Sequence, residues 1–550
     1  MPQDQPLATR LAAELAAHRL AAEADPLSNP ILAFARALAS RMGAGETSLS
    51  DVETVVRGLT ADGFMARAER FGTYLGEADP EANRATLETL FEALAQGGFE
   101  SFADAVARPA FGVVFTAHPT FSLGQGLSLA LVELATGFDR EGRPLDEAGR
   151  EARRRLAQTQ PHRPPEGLSL DLEHAWSVEA LENGHLALDT ARAAALAVAR
   201  RHWPDRWRTL SPRLATLATW VGFDTDGRTD VTWLVSLEKR LDLKRRAILR
   251  FRRGLASVRG RKAAEAVALL DGALGVMSDQ IAFAAAARAD PAQTPAFARA
   301  MVEGRAAGLA DPAALVRIVD AAIAETADDE AAARLIAIRA GLAAQGLSLA
   351  QVHVRLNAAQ LHAAVRGEIG LGADPSDPAN RRAYSAAAAA LLAKTKPIAI
   401  NFGALVDEPA PAKRLMMSLA QTLKHIDAVN PIRFLIAEAE SGFTLLVALY
   451  YARLYGVEDK VEISPLFETE AGFERGEALF EDALRSPHYR SHIERQGRLA
   501  IEFGFSDSGR FIGQMAATFR IERLRLRLAE LVEQAGLTGL EVVLFDTHGE

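Results

Sequence analysis

The periodicity of apolar positions changes near residue 111. Before that point "LATRLAAELAAHRLAAEA" and "ETLFEALAQGGFESFADAVA" place apolar residues at helical spacing with strong helix formers between them, which predicts helices. "ADPLSNP" (Ala24–Pro30) and "GEADPEA" (Gly76–Ala82) read as turns between them. No fixed-period repeat and no chemistry-bearing motif stands out in residues 1–110, which are expected to form an N-terminal helical region. From residue 111 on, short apolar, β-branched runs alternate with long helical stretches. The runs are "GVVFTAHP" (Gly112–Pro119), "LATWVGFDTDG" (Leu217–Gly227), "AQVHVRL" (Ala350–Leu356), "IRFLIAEAES" (Ile432–Ser441), "VEISPLFET" (Val461–Thr469), "LAIEFGFSDS" (Leu499–Ser508) and "EVVLFDTHGE" (Glu541–Glu550). Near-continuous apolar runs are what parallel strands covered on both faces look like, and their alternation with helices predicts βα units. The expected fold is therefore α/β and predominantly helical. It is a (β/α)8 TIM-type barrel over residues 111–550, with long helical insertions at about 130–215 and 239–345.

Seven runs fall one short of a closed barrel, and the seventh stops at Glu550. Either "KPIAINFG" (Lys396–Gly403) supplies the eighth strand, or the barrel is incomplete at the C-terminus of this chain. Each of the seven runs ends in a charged or titratable residue: His118, Asp224 and Asp226, Arg355, Glu438, Glu468, Asp507, His548. Barrel enzymes assemble their sites at the C-terminal ends of the strands. A single polar strand end signifies no more than the loop that follows it, but seven with both signs of charge point to a shared site.

Composition narrows the classes. Lys and Arg total 62 against 71 Asp and Glu, a formal charge of -9, which argues against a dedicated nucleic-acid binder. The absence of cysteine excludes disulfides, thiolate metal sites and cysteine nucleophiles, and suits a reducing cytoplasm. The first residues, "MPQDQPLATRLAAELAAHRL", have no apolar segment of signal-peptide type. No apolar run approaches the ~20 residues of a membrane span; "FTLLVALYYARLYG" (Phe443–Gly456) is short, contains Arg453 and reads as a buried helix.

Among the strand ends, Glu468 and Asp507 are hard oxygen donors from neighbouring strands. Two such carboxylates suit Mg²⁺ or Mn²⁺, which take one or two carboxylates plus water and substrate oxygens; an arginine-paired or solvated role is the alternative. Glu438 and Asp546 are less convincing spare acids. Arg355, Arg510 and Arg228 are candidates for gripping a phosphate or carboxylate. His118 precedes Pro119, which disfavours helical backbone at the histidine and holds it extended at the strand end. There it is either a hydrogen-bonded structural residue or a proton-transfer group, and His548 presents the same choice. The basic stretch "KRLDLKRRAILRFRRGLASVRGRK" (Lys239–Lys262) carries few aromatics and reads as a solvated helix face before it reads as an anion-binding surface.

Taken in order, the motifs resemble phosphoenolpyruvate carboxylases. "FTAHPT" (Phe115–Thr120) is close to the family's TAHPT signature, "WVGFDTDGRTDVT" (Trp220–Thr232) resembles its W-x-G-G-D-R-D-G-N-P-x-V-T, and "HVRLNAAQLH" (His353–His362) echoes D-V-R-Q-E-S-x-x-H. "PLFETEAGFERG" (Pro465–Gly476) is similar to P-L-F-E-T. "GFSDSGRFIGQMAA" (Gly504–Ala517) resembles G-Y-S-D-S-A-K-D-A-G-x-x-A-A, and "LFDTHGE" (Leu544–Glu550) looks like the start of L-F-H-G-R-G-G-S. The resemblance implies a barrel among many extra helices and a reaction joining phosphoenolpyruvate and bicarbonate to give oxaloacetate and phosphate with Mg²⁺ or Mn²⁺. By the same resemblance Glu468 and Asp507 are the metal ligands, His118 and His548 the catalytic histidines, and Arg355, with Arg510, the substrate-binding arginines. It also implies a cytoplasmic homo-tetramer that engages neither nucleic acid nor membrane. The chain departs from the pattern: Phe223 and Thr225 replace a glycine and an arginine, Leu356 and Asn357 replace Gln-Glu, Arg510 replaces lysine, and Glu550 stands where H-G-R has arginine. The departures define the alternative, a catalytically degenerate homologue with a regulatory or partner-binding role.

Overall fold

The computed structural model describes residues 5–25, 27–76, 79–116, 123–370, 372–373, 377 and 379–547. His118 and His548 lie outside the described residues. The chain divides into two compact units, Met1–Asn83 with His118–Leu168, and Arg84–Ala117 with Ser169–Glu550. The first is helical. Its small core places Ala61, Phe64 and Ala68 of the helix Leu49–Leu75 against Leu127, Ala130 and Leu131 of the helix Gln125–Thr136.

The second unit carries the sheet: β1 (Phe111–Phe115), β2 (Ala215–Thr219), β3 (Gln351–Asn357), β4 (Ile432–Ala437), β5 (Val461–Phe467), β6 (Arg498–Gly504) and β7 (Glu541–Thr547). All neighbours are parallel and the spatial order follows the chain order. Each of the seven main apolar runs overlaps one of these strands, the run Leu217–Gly227 only by its first three residues. "KPIAINFG" contains none: its first residues are irregular and Phe402–Asp407 is a short helix capped by Asn401, whose side chain accepts from the Ala404 N–H at 2.9 Å. β2 ends at Thr219, and the polar tail that follows is a turn, tied to β3 by a single bridge between Asp224 and Arg355.

The sheet curls. Strands in a flat sheet lie about 4.8 Å apart, so β3 and β7 would be separated by about 19 Å. Instead the Phe545 ring of β7 sits 5.3 Å from the His353 ring of β3 and 5.8 Å from Trp220. The seven strands form a half-barrel whose inner face is closed on itself by these rings. β5 shows why the strands read as apolar runs: all seven of its residues are buried. Its Pro465 has no N–H to give, and the described ladder to β6 starts at the next residue, Leu466 opposite Glu502.

Alternation along the strands sorts residues into two faces. The outer face, with Val352, Val354 and Leu356 of β3, packs into the main apolar core under the helices. The inner face is polar and layered. At the N-terminal ends, Arg433, Glu462, Arg498 and Glu541 form a ladder of alternating charge across β4 to β7, with contacts of 3.0, 2.8 and 2.7 Å.

Of the described helices, Arg261–Ala289 alone is long and apolar enough to cross a membrane by length and composition. Its buried residues include Ala263, Ala266, Leu270, Ala273, Met277, Gln280, Ala284 and Ala287, a spacing of three and four that lines one stripe for packing in a core. Alanine fills both its buried and its exposed faces, so its apolar character lies in many small residues. "FTLLVALYYARLYG" forms the buried helix Gly442–Leu454 as expected.

The basic stretch forms the helix Trp233–Ala256, capped by Thr232. Several of its charges are paired within the protein, and Arg253 and Arg259 are exposed. Lys239 pairs with Asp171, Arg245 and Arg246 with Asp242, and Arg250 with Asp189. Lys244, buried, donates to the carbonyls of Leu309 at 2.8 Å and Ile426 at 2.6 Å, and burial pushes its ammonium down to about 7. Arg240 is buried against Asp427 and donates to Ser348 Oγ at 2.7 Å and the Ala350 carbonyl at 3.0 Å, while Asp427 also accepts from Asn430 Nδ2 at 2.7 Å. This cluster clamps the helix to the segments entering β3 and β4. Removing one partner of a buried pair leaves the other charge uncompensated at a cost of about 3–5 kcal/mol. Asp427→Ala is therefore expected to lower unfolding free energy by that amount in urea titration, and a loss under about 1 kcal/mol would show that the clamp does not bear on stability.

Candidate active site

The C-terminal ends of β3 to β6 bring together the charged strand ends. Arg355 is on the inner face of β3. Its Nε lies 3.2 Å from Asp224 Oδ1 and its Nη2 3.5 Å from Asp226 Oδ2. The turn carrying both aspartates is fixed to the arginine's own backbone: the Thr225 N–H and hydroxyl both donate to the Arg355 carbonyl, at 3.1 and 2.7 Å, and the Asp226 N–H donates to Asp224 Oδ1 at 3.0 Å. Thr225, an apparent loss of a charged residue in the sequence, is the anchor that holds two carboxylates on Arg355.

Asn357, two residues on and so on the same face, donates from Nδ2 to Glu438 Oε2 at 2.8 Å and caps the helix Ala358–Ile369. Leu356 points the other way and is fully buried in the outer core. Its substitution for a polar residue therefore alters packing and does not reach the site. Glu438, directly after β4, has φ of 55°, a left-handed conformation that costs a non-glycine residue about 1–3 kcal/mol and persists where the surroundings over-determine it.

Glu468 follows β5. Burial pushes its carboxyl up to about 7; Arg355 works against that rise, and Asp507, Asp226 and Glu438 add to it. Room for Glu468 comes from Gly504 at the end of β6, where a Cβ would stand 2.7 Å from the Glu468 Cβ. Asp507 is on the helix Phe505–Ile512, half-exposed, and its Oδ1 lies 3.1 Å from Arg510 Nη1. Arg510 also donates to Ser506 Oγ at 3.2 Å. The structure thus pairs Arg510 with Asp507, its neighbour one helical turn away.

The sequence reading missed Glu502. It sits on the inner face of β6, fully buried, and neither carboxylate oxygen has a hydrogen-bond partner in the described structure. Burial raises its carboxyl to about 8 against the pull of Arg355, with Glu468 adding to the rise. The signal was present as the one acid inside "LAIEFGF", but an apolar run hides which of its positions faces inward.

No group of three or more described His, Asp or Glu side chains has the geometry of a metal cage. The donor set nonetheless fits a hard divalent cation held by one or two carboxylates and completed by water or substrate. Asp224, Asp226, Glu438, Glu468, Glu502 and Asp507 face or act on the site against Arg355 and Arg510. The carboxyls of Asp226, Glu468 and Glu502 are all raised, first by burial and, more weakly, by the neighbouring acids, while Arg355 works against the rise.

Comparison with known proteins bears on this arrangement. The family model described as phosphoenolpyruvate carboxylase matches residues 299–549, a stretch that contains Arg355, Glu438, Glu468, Glu502 and Asp507. That stretch, a little under half of this chain, is similar to the phosphoenolpyruvate carboxylase family. Phosphoenolpyruvate carboxylase of Xanthomonas campestris pv. campestris is 30% identical over 136 residues, covering 24% of this chain and 14% of that protein. The enzyme of that name from Marinomonas sp. is 32% identical over 116 residues, 21% of this chain and 13% of its own. That from Mycobacterium leprae is 24% identical over 405 residues, 64% of this chain and 40% of its own. The chain thus matches well under half of these relatives' length.

The buried acids make stability depend on pH. Glu502 keeps its proton in the folded state up to about 8, whereas the unfolded chain releases it near 4.5. Over that window the folded state binds more protons, so stability falls as pH rises, and Glu468 acts in the same direction up to about 7. With divalent cations chelated, the wild type is expected to lose unfolding free energy between about pH 5 and about pH 8, and Glu502→Gln to lose at least about 1 kcal/mol less. Equal slopes in urea titrations at the two pH values would refute the protonated state of Glu502.

Proposed function

We propose that the complete protein carboxylates phosphoenolpyruvate with bicarbonate, giving oxaloacetate and phosphate in a reaction that depends on Mg²⁺ or Mn²⁺. The observation that carries this reading is the convergence of Arg355 with Glu468 and Asp507 at the C-terminal ends of parallel strands, within the stretch that matches the family. Glu468 and Asp507 would hold the cation, which supplies charge stabilisation at the phosphoryl oxygens.

Arg355 binds the phosphate side of the substrate, held at the rim by Asp224 and Asp226 so that its planar donors are already oriented. Arg510 is the second substrate-binding arginine and reaches the substrate by exchanging its Asp507 contact for it. Bicarbonate oxygen attacks phosphorus, the bond from phosphorus to the enol oxygen breaks, and carboxyphosphate and enolate result. Carboxyphosphate releases carbon dioxide and phosphate, and the enolate carbon captures the carbon dioxide. His118 and His548 are assigned the proton transfers. Closure of the half-barrel by an eighth strand, assembly as a tetramer, a cytoplasmic location and the supply of oxaloacetate to the tricarboxylic acid cycle belong to the same proposal.

A second reading is favoured by one observation: Arg355 and Arg510 are both already ion-paired with site carboxylates. A homologue that binds anion or metal without turnover would look the same. Oxaloacetate formation by the complete protein, coupled to malate dehydrogenase, separates the two. The enzyme reading expects activity at millimolar phosphoenolpyruvate that needs both bicarbonate and divalent cation. It also expects a fall of at least about 100-fold in kcat for Glu468→Gln and for Arg355→Met in folded protein. The 550-residue chain alone is expected to show little or none. Calorimetric binding of phosphoenolpyruvate with no turnover would establish the degenerate homologue.

A further inference from the structure

At the opposite end of the strands a cavity of about 420 Å³ opens between the segment Ile398–Ile400, the end of the helix Pro411–His425 and the turn Tyr455–Val457. Lys424 precedes β4 and Val457 precedes β5, so the cavity belongs to the N-terminal side of the sheet, away from the carboxylates around Arg355. No Asp or Glu lines it. Two cations do, Arg305 and Lys424, and neither makes an ion pair or a side-chain hydrogen bond with another described residue. The cavity thus carries two cations with no carboxylate in its lining, in a chain of net charge -9.

Three further observations give the cavity its chemistry. Arg305 and Lys424 line the same cavity, and both act on the buried His425 beside it. His425 is pushed down to about 4, first by burial and then by Lys424 and Arg305, so it stays neutral and adds no charge of its own. Gln421, 1% exposed, lines the cavity and donates from Nε2 to the Ile400 carbonyl at 3.2 Å, which leaves its Oε1 without a partner. A buried acceptor left unsatisfied costs about 1–3 kcal/mol and calls for a donor. The remaining walls, with Ile398, Leu423 and Tyr455, are apolar or aromatic. A cavity of a few hundred Å³ with apolar walls and a few convergent polar groups is the usual form of a small-molecule site.

We propose that this cavity binds a small organic anion: a phosphoryl or carboxylate head on Arg305 and Lys424, an apolar body against Tyr455 and Leu423, and an O–H or N–H given to Gln421. The site is separate from the carboxylate end of the strands and independent of the reaction assigned there. Occupancy would tie the segment before β4 to the turn before β5, the two segments that lead into Arg433 and Glu462 of the charge ladder.

Calorimetry on the folded chain tests it with four probes: phenyl phosphate, benzoate, inorganic phosphate and neutral benzyl alcohol. Phenyl phosphate or benzoate is expected to bind, the tighter of the two identifying the head group, with inorganic phosphate weaker and benzyl alcohol giving no heat. The double variant Arg305→Ala/Lys424→Ala changes only exposed side chains and is expected to weaken binding at least 10-fold, as is Gln421→Glu. Arg355→Met should leave it unchanged. Loss of phenyl phosphate binding in Arg355→Met but not in the double variant would put the anion at the other end of the strands and overturn the proposal. So would equal binding of benzyl alcohol, or binding that none of the variants alters.

Discussion

Arg355 is the charge on which the C-terminal end of the sheet depends. Its guanidinium is largely withdrawn from water, which by itself disfavours the charged form. Asp224, Glu468, Glu502 and Asp226 more than offset that penalty. The dependence is mutual, because Glu468 and Glu502 are pushed toward their protonated forms despite Arg355. One fixed positive charge thus holds several acids close enough that their repulsion is felt.

The curl of the sheet is what makes this concentration of charge possible. A flat parallel sheet would spread Arg355, Glu468 and Glu502 over several strand spacings and leave each to solvent. Bending β3 toward β7 until Phe545 meets His353 encloses the inner face. Apolar rings occupy the middle of that face. The alternating Arg433, Glu462, Arg498, Glu541 ladder neutralises one end, and the unbalanced acids gather at the other. The two ends differ in purpose for a simple electrostatic reason. Alternating signs satisfy one another and leave nothing for a ligand, whereas an excess of one sign is an affinity.

The substitutions that separate this chain from the family pattern sort by the face they occupy. Leu356 and Phe223 lie in the apolar core and change what the helices pack against. Thr225 exchanges a charge for two hydrogen bonds to the Arg355 carbonyl. Arg510 keeps a positive charge but spends it on Asp507. None of these breaks the framework of contacts around Arg355.

The sequence by itself determined where the seven strands lie and that they run parallel, and it marked Arg355, Glu438 and Glu468 at or just after the ends of β3, β4 and β5. Local pattern suffices for this: strands buried on both faces are apolar throughout, and loops begin where polarity returns. It also carried the family resemblance that the comparisons bear out. Tertiary structure decided which of those residues face one another. It put Glu502 inside the half-barrel and Leu356 outside it, because an apolar run carries no mark of which face turns inward. It turned Lys239, Arg240 and Arg250 of the basic stretch into internal clamps, because their partners Asp171, Asp427 and Asp189 are remote in the chain. It also left "KPIAINFG" without a strand. The signature of a buried strand is shared by any apolar segment that packs, and only the ladder of hydrogen bonds to a neighbour tells them apart.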